Sequence, residues 1–216
     1  MFEKIGDCGF RTLYHQLLLL IEDDNCLTAA KTRFPHEEGD NALVLYGYAD
    51  PEMGMSFEVF CMAWYGENEG FKMRRTPKSV SFKLRYEAVR GKLAVIGNTD
   101  VLTGFLPRIM EINKIYRASE DVEQFREIRM IDSLRHQVFP DDIMVALPPD
   151  EPEGDPEFIW AHLAGFDDHY TIVRLLNEPY RDCGCHRGDL VKIRYLARGD
   201  DVLAVVSVPS KSGGVL

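Results

Sequence analysis

The chain has 216 residues, 45% of them hydrophobic and 28% charged, and 25 Lys and Arg stand against 35 Asp and Glu for a net charge of −10. That suits one large or two small globular domains with a core that needs neither disulfides nor metal. The acidic balance disfavours a phosphate backbone as partner, and the strongest basic cluster, Lys72, Arg74, Arg75 and Lys78, is small.

Residues 9–23 place Phe10, Leu13, Tyr14, Leu17, Leu18 and Ile21 at helical spacing, which predicts a helix with one buried face. A second short helix is predicted over 26–33, before Pro35. Residues 42–48 and 56–66 read as two strands around the turn Asp50-Pro51-Glu52-Met53-Gly54. Residues 79–89 alternate apolar and polar, and Arg90-Gly91 leads into 92–97, which predicts a second hairpin. Strands in close succession argue for an antiparallel sheet. A helix is predicted in 101–116, starting near Pro107, and another over 121–137 with Ser119 at its N-terminus. Residues 142–149 read as a strand.

Residues 148–157 hold Pro and acids with no base and no aromatic, so they read as an exposed linker and a domain boundary. Beyond it, 158–163 alternate, and 170–176, 190–196 and 202–208 are short runs bounded by turns. The fold class expected is α+β: an N-terminal antiparallel sheet packed with helices over 1–147, and a small C-terminal β-barrel over 158–210. The tail after it is expected to fray.

Five cysteines, Cys8, Cys26, Cys61, Cys183 and Cys185, form no regular framework, which fits a reducing cytoplasm. The N-terminal residues lack the pattern of an export signal, and the longest apolar run, Leu17–Ile21, is too short to span a bilayer.

Cys183, Cys185 and His186 offer thiolate and imidazole ligands, but a structural zinc site needs four ligands, so turn chemistry is the favoured reading. Asp167, Asp168 and His169 could do acid–base work, against the ordinary reading of a solvated turn. Arg129, Asp132, Arg135 and His136 fall on one face of the predicted helix, where exposed pairs contribute only ~0.2–0.5 kcal/mol each. The loop Gly97–Gly104 lacks the Lys-Ser/Thr of a phosphate cradle. No nucleophile-elbow or zincin motif occurs, and no cofactor or metal is implied. Trp64 and Trp160 read as core residues rather than ligand platforms.

The residues Ile131-Asp132, Arg135-His136, Phe139-Pro140-Asp141-Asp142, Trp160, Leu176-Asn177-Glu178-Pro179 and Gly188-Asp189-Leu190-Val191 resemble a group of uncharacterised bacterial domains with a small β-barrel. Some of those resemble immunity-type proteins. The resemblance covers about the last 90 residues and implies fold, not activity. The function expected is a non-catalytic cytoplasmic protein that binds another protein, with no nucleic acid and no membrane as partner. His136, Asp141, Trp160 and Asn177 are the candidate binding residues. The alternative is a hydrolase or transferase with its site at the seam between the two parts, using Asp132 and His136 or Asp167 and His169.

Overall fold

Five successive aliphatic residues form the central strand of a seven-stranded sheet, β2 (Leu17–Ile21), and all five are buried. The computed structural model describes residues 1–76, 80–149, 154–167, 169–199 and 201–207. They fold as two compact units, the first made of Met1–Arg117 with Gln137–Phe139, the second of Ala118–His136 with Pro140 onward.

In the first unit, β1 (Glu3–Lys4) and a single helical turn, α1 (Phe10–Leu13), precede β2. The helix predicted over 9–23 is therefore confined to its first residues. Leu17–Ile21 is a continuous apolar run, covered on both faces, and periodicity alone cannot separate such a run from a buried helix. Left-handed backbone at His15 (φ 56°) and Glu22 (φ 57°) brackets the strand. The turn before β2 lies against Gly47, where a Cβ would sit 2.0 Å from the Leu13 carbonyl oxygen, so only glycine fits.

Asp23 caps α2 (Asp24–Lys31), the second predicted helix, by accepting from the Cys26 N–H. The same carboxylate accepts from the N–H groups of Arg90 and Gly91. Burial pushes its pKa up, but those three bonds outweigh burial and hold it below the ordinary value. β3 (Ala42–Asp50) and β4 (Gly54–Gly66) form the expected hairpin. β5 (Gly70–Met73) then pairs with one end of β4.

The second predicted hairpin does not form. β6 (Phe82–Arg85) is shorter than predicted and pairs with β4, while β7 (Lys92–Val95) lies between β1 and β2. A 3-10 helix at Tyr86–Ala88 separates them. The order is β1-β7-β2-β3-β4-β5, and every pair is antiparallel.

α3 (Thr99–Ile115) starts well before Pro107, which lies inside it. Asn98 accepts from the N–H groups of Asp100 and Val101, and this cap outweighs the preference of proline for a first turn. Ile109 and Ile112 of α3 pack with Leu17, Leu19 and Val44 on one face of the sheet. Cys26 and Leu27 of α2 join Leu18, Leu20 and Leu45 on the other.

In the second unit, Ser119 caps α4 (Glu120–Glu127), as expected. The predicted helix stops there, and Arg129–Leu134 forms a 3-10 helix. β8 (Asp142–Leu147), β9 (Glu157–Phe166), β10 (Thr171–Leu175), β11 (Leu190–Arg198) and β12 (Asp201–Ser207) close into a barrel in the order β10-β11-β12-β8-β9. Successive strands reverse, so the first and fifth of an up-and-down path must run the same way. The closing pair β12–β8 is accordingly the parallel one, with Val205 opposite Ala146. Burial alternates along β9: Ile159, Ala161 and Leu163 face the core, while Phe158, Trp160 and His162 do not.

The sheet-with-helices and the barrel are thus as expected, but the boundary is not. β8 lies before the Pro-rich segment yet pairs with β9 throughout, so 142–147 belong to the barrel rather than to the first domain. Of the linker itself, residues 150–153 lie outside the described residues, as does the tail from 208.

Candidate functional site

The outer edge of β4 is interrupted. β5 covers Ala63–Gly66 and β6 covers Ser56–Val59, which leaves Phe60, Cys61 and Met62 between two short strands, and the Met62 carbonyl accepts from the Arg74 N–H. A cavity of about 490 Å³ opens there, within the first unit. Its floor is Val59, Phe60 and Cys61, and residues 73–76 with Val80 form one wall. α3 supplies the other through Gly104, Phe105 and Pro107, with Arg108 and Glu111 a turn further on. Phe60 and Phe105 stack with ring centroids 4.7 Å apart. A Cβ on Gly104 would meet nothing within 4 Å, so the cavity extends up to the helix backbone at that point.

The cations around the cavity are held by carboxylates. Arg108 donates from Nη2 to Glu58 (2.8 Å) and from Nη1 to Glu111 (2.7 Å). Glu58 is only 1% exposed and also accepts from the Ser81 hydroxyl. These bonds, chiefly the one to Glu58, raise the Arg108 pKa further. Arg74 grips Asp40 through Nε and Nη2 and pairs with Glu37 through Nη1. Burial pushes Asp40 up, but the Arg74 bonds outweigh it and hold it below the ordinary range. Arg75 is exposed and has no ion-pair partner among the described residues. Burial pushes the Cys61 thiol up to about 12, so it stays protonated at neutral pH and is a poor nucleophile.

The residues singled out from sequence lie elsewhere. His136, Asp141, Trp160 and Asn177 are all in the second unit. His136 meets Trp160 edge to face with centroids 4.9 Å apart, and Asn177 Oδ1 accepts from the Trp160 N–H. Asp141 instead takes both arms of the buried Arg126, at 2.9 and 2.7 Å. Arg135, placed on the polar face of a predicted helix, is buried: it donates to the carbonyls of Pro140 and Phe125 and to Asp132. Asp167 accepts from the N–H groups of His169 and Tyr170 and pairs with Lys192, while Asp168 lies outside the described residues.

Cys183 and Cys185 bring their sulfurs within 3.2 Å, both buried, and His186 turns to Glu178. Among the described residues, no three His, Cys, Asp or Glu side chains are grouped to hold a metal, and no helix is long and apolar enough to cross a membrane. Trp64, read as core, is only partly buried and carries Lys72 over its ring.

The cavity was half visible in the sequence. Arg74 and Arg75 belong to the basic cluster noted there, whose Lys78 lies outside the described residues. Gly104, expected to end a loop, lies inside α3, because the Asn98 cap starts the helix at Thr99. The chain matches no family model, no curated protein and no solved structure.

Proposed function

We propose that this chain is a non-catalytic binding protein that holds a small, mainly apolar molecule in the cavity of its first unit. The observation that carries this reading is the cavity itself. Its volume falls in the range of small-molecule sites, and its walls are aromatic and aliphatic with a few charged groups at the rim. The described lining groups include no nucleophile paired with a base; the Cys61 thiol is held protonated, and Glu111 is tied to Arg108.

Titration with N-phenylnaphthylamine, a neutral probe that fluoresces in apolar surroundings, tests it. Saturable binding is expected in the wild type, with loss in Gly104→Leu, whose side chain would grow into the space beside the helix. An unchanged circular dichroism spectrum of the variant shows that the fold is kept. No saturable binding, or equal binding by the variant, overturns the reading.

A second reading, a protein partner at the barrel, draws on one observation. Met144 and Trp160 are cross-strand neighbours on the outer wall of β8 and β9, and Phe158 beside them is 51% exposed. A partner that co-purifies with the chain should lose its binding in Phe158→Asp, and one that binds the variant equally well removes this reading.

A further inference from the structure

We infer that the occupant of the cavity is an amphipathic anion, a medium-chain carboxylic acid whose carboxylate lies at Arg75 and whose chain lies along Phe60 and Phe105. This rests on the reading of the cavity as a ligand site and adds the charge and shape of what fills it.

The argument is one of uncancelled charge. Arg108 is matched by Glu58 and Glu111, and Arg74 by Asp40 and Glu37. Four carboxylates outnumber these two guanidiniums, so both are fixed as walls and neither offers free positive charge to an anion; the case rests on Arg75 alone. Arg75 is the lining cation with no carboxylate against it among the described residues. A carboxylate placed there gains a charge-assisted, potentially bidentate contact.

A cationic head would meet Arg75 directly, and the carboxylate in the lining, Glu111, already accepts from Arg108. A neutral head would leave the guanidinium with water alone.

The apolar half follows from the floor. The stacked Phe60 and Phe105 rings present a surface that an alkyl chain covers without leaving polar groups unmatched. Gly104 leaves open space against α3 at that wall.

Displacement of bound N-phenylnaphthylamine by decanoate and by decanol tests this, because the two share a chain and differ in the head. Decanoate should displace the probe at a concentration about two- to fivefold lower than decanol, the scale of one ion pair at an exposed guanidinium. The preference should shrink in high salt. In Arg75→Ala it should fall to near parity, and Arg75→Lys should restore part of it.

Equal displacement by both compounds in a protein that binds the probe overturns the anion while leaving the cavity as a ligand site. A preference that survives Arg75→Ala overturns the assignment of the head to Arg75. If the wild type never binds the probe, the cavity reading and this inference fall together.

Discussion

The two units solve the same problem, a β-sheet with an apolar face, in opposite ways. The second unit closes its sheet on itself: every strand has two neighbours, and the interior is filled by side chains such as Ile143, Val173 and Ile193. The first leaves its sheet open, covers both faces with helices, and ends one side in two short strands that share the edge of β4. A closed barrel has no edge left to interrupt. An open sheet does, and the interruption at Phe60 and Cys61 is where the cavity lies.

If the barrel owes its order to a filled interior, emptying it should have the largest effect in the molecule. Phe125 of α4 is fully buried among the barrel's core residues, with the Arg135 guanidinium 4.7 Å from its ring centroid. Phe125→Ala should destabilise the second unit by about 3–5 kcal/mol, since the arginine loses its platform as the cavity forms. Amide hydrogen exchange in β8–β12 should speed up accordingly. Unchanged protection there would show that α4 is not part of that core.

The comparison sharpens when side-chain carbon is added on each side. Ala161 is fully buried inside the barrel, and Ala161→Leu should destabilise by about 1–3 kcal/mol through overpacking. Gly104 sits mid-helix beside empty space, so Gly104→Ala should stabilise by about 0.5–1 kcal/mol. Denaturant midpoints compare the two. A destabilised Gly104→Ala would mean that the first unit is as tightly filled there as the barrel.

How much of this was legible in the sequence follows the same division. The barrel strands were readable because each is a short run bounded by turn residues, and their alternation matches the buried and exposed positions of β9. Ser119 was readable as a cap because capping is local. The helix predicted over 9–23 failed because whether Leu17–Ile21 forms a helix or a strand is decided by neighbours distant in sequence, β3 and β7. The bonds of Arg135 were not legible for a similar reason: they go to the carbonyls of Pro140 and Phe125, which only the folded chain brings to it. The cavity is the extreme case. It exists because β5 and β6 divide one strand's edge, and no local pattern encodes that division.

The smallest expected effect probes the barrel's outer wall, where packing contributes little. Asp142 of β8 and His162 of β9 are cross-strand partners, with Nδ1 and Oδ1 2.5 Å apart. The hydrogen bond to Asp142 raises the histidine's pKa above 6.5, the negative charges of Asp142 and Asp141 add to the rise, and burial and Arg174 oppose it. A histidine whose pKa is higher in the folded state contributes stability that is fully present below its unfolded value. That stability is lost as pH rises through the folded value. The side chain is 51% exposed, so the contribution is that of a surface pair, about 0.2–1 kcal/mol. His162→Gln keeps a hydrogen-bond donor and removes the charge. Its deficit relative to wild type should be measurable by denaturation at about pH 5 and should vanish at about pH 9. A deficit that stays constant, or grows with pH, would mean that the pair acts through shape rather than charge.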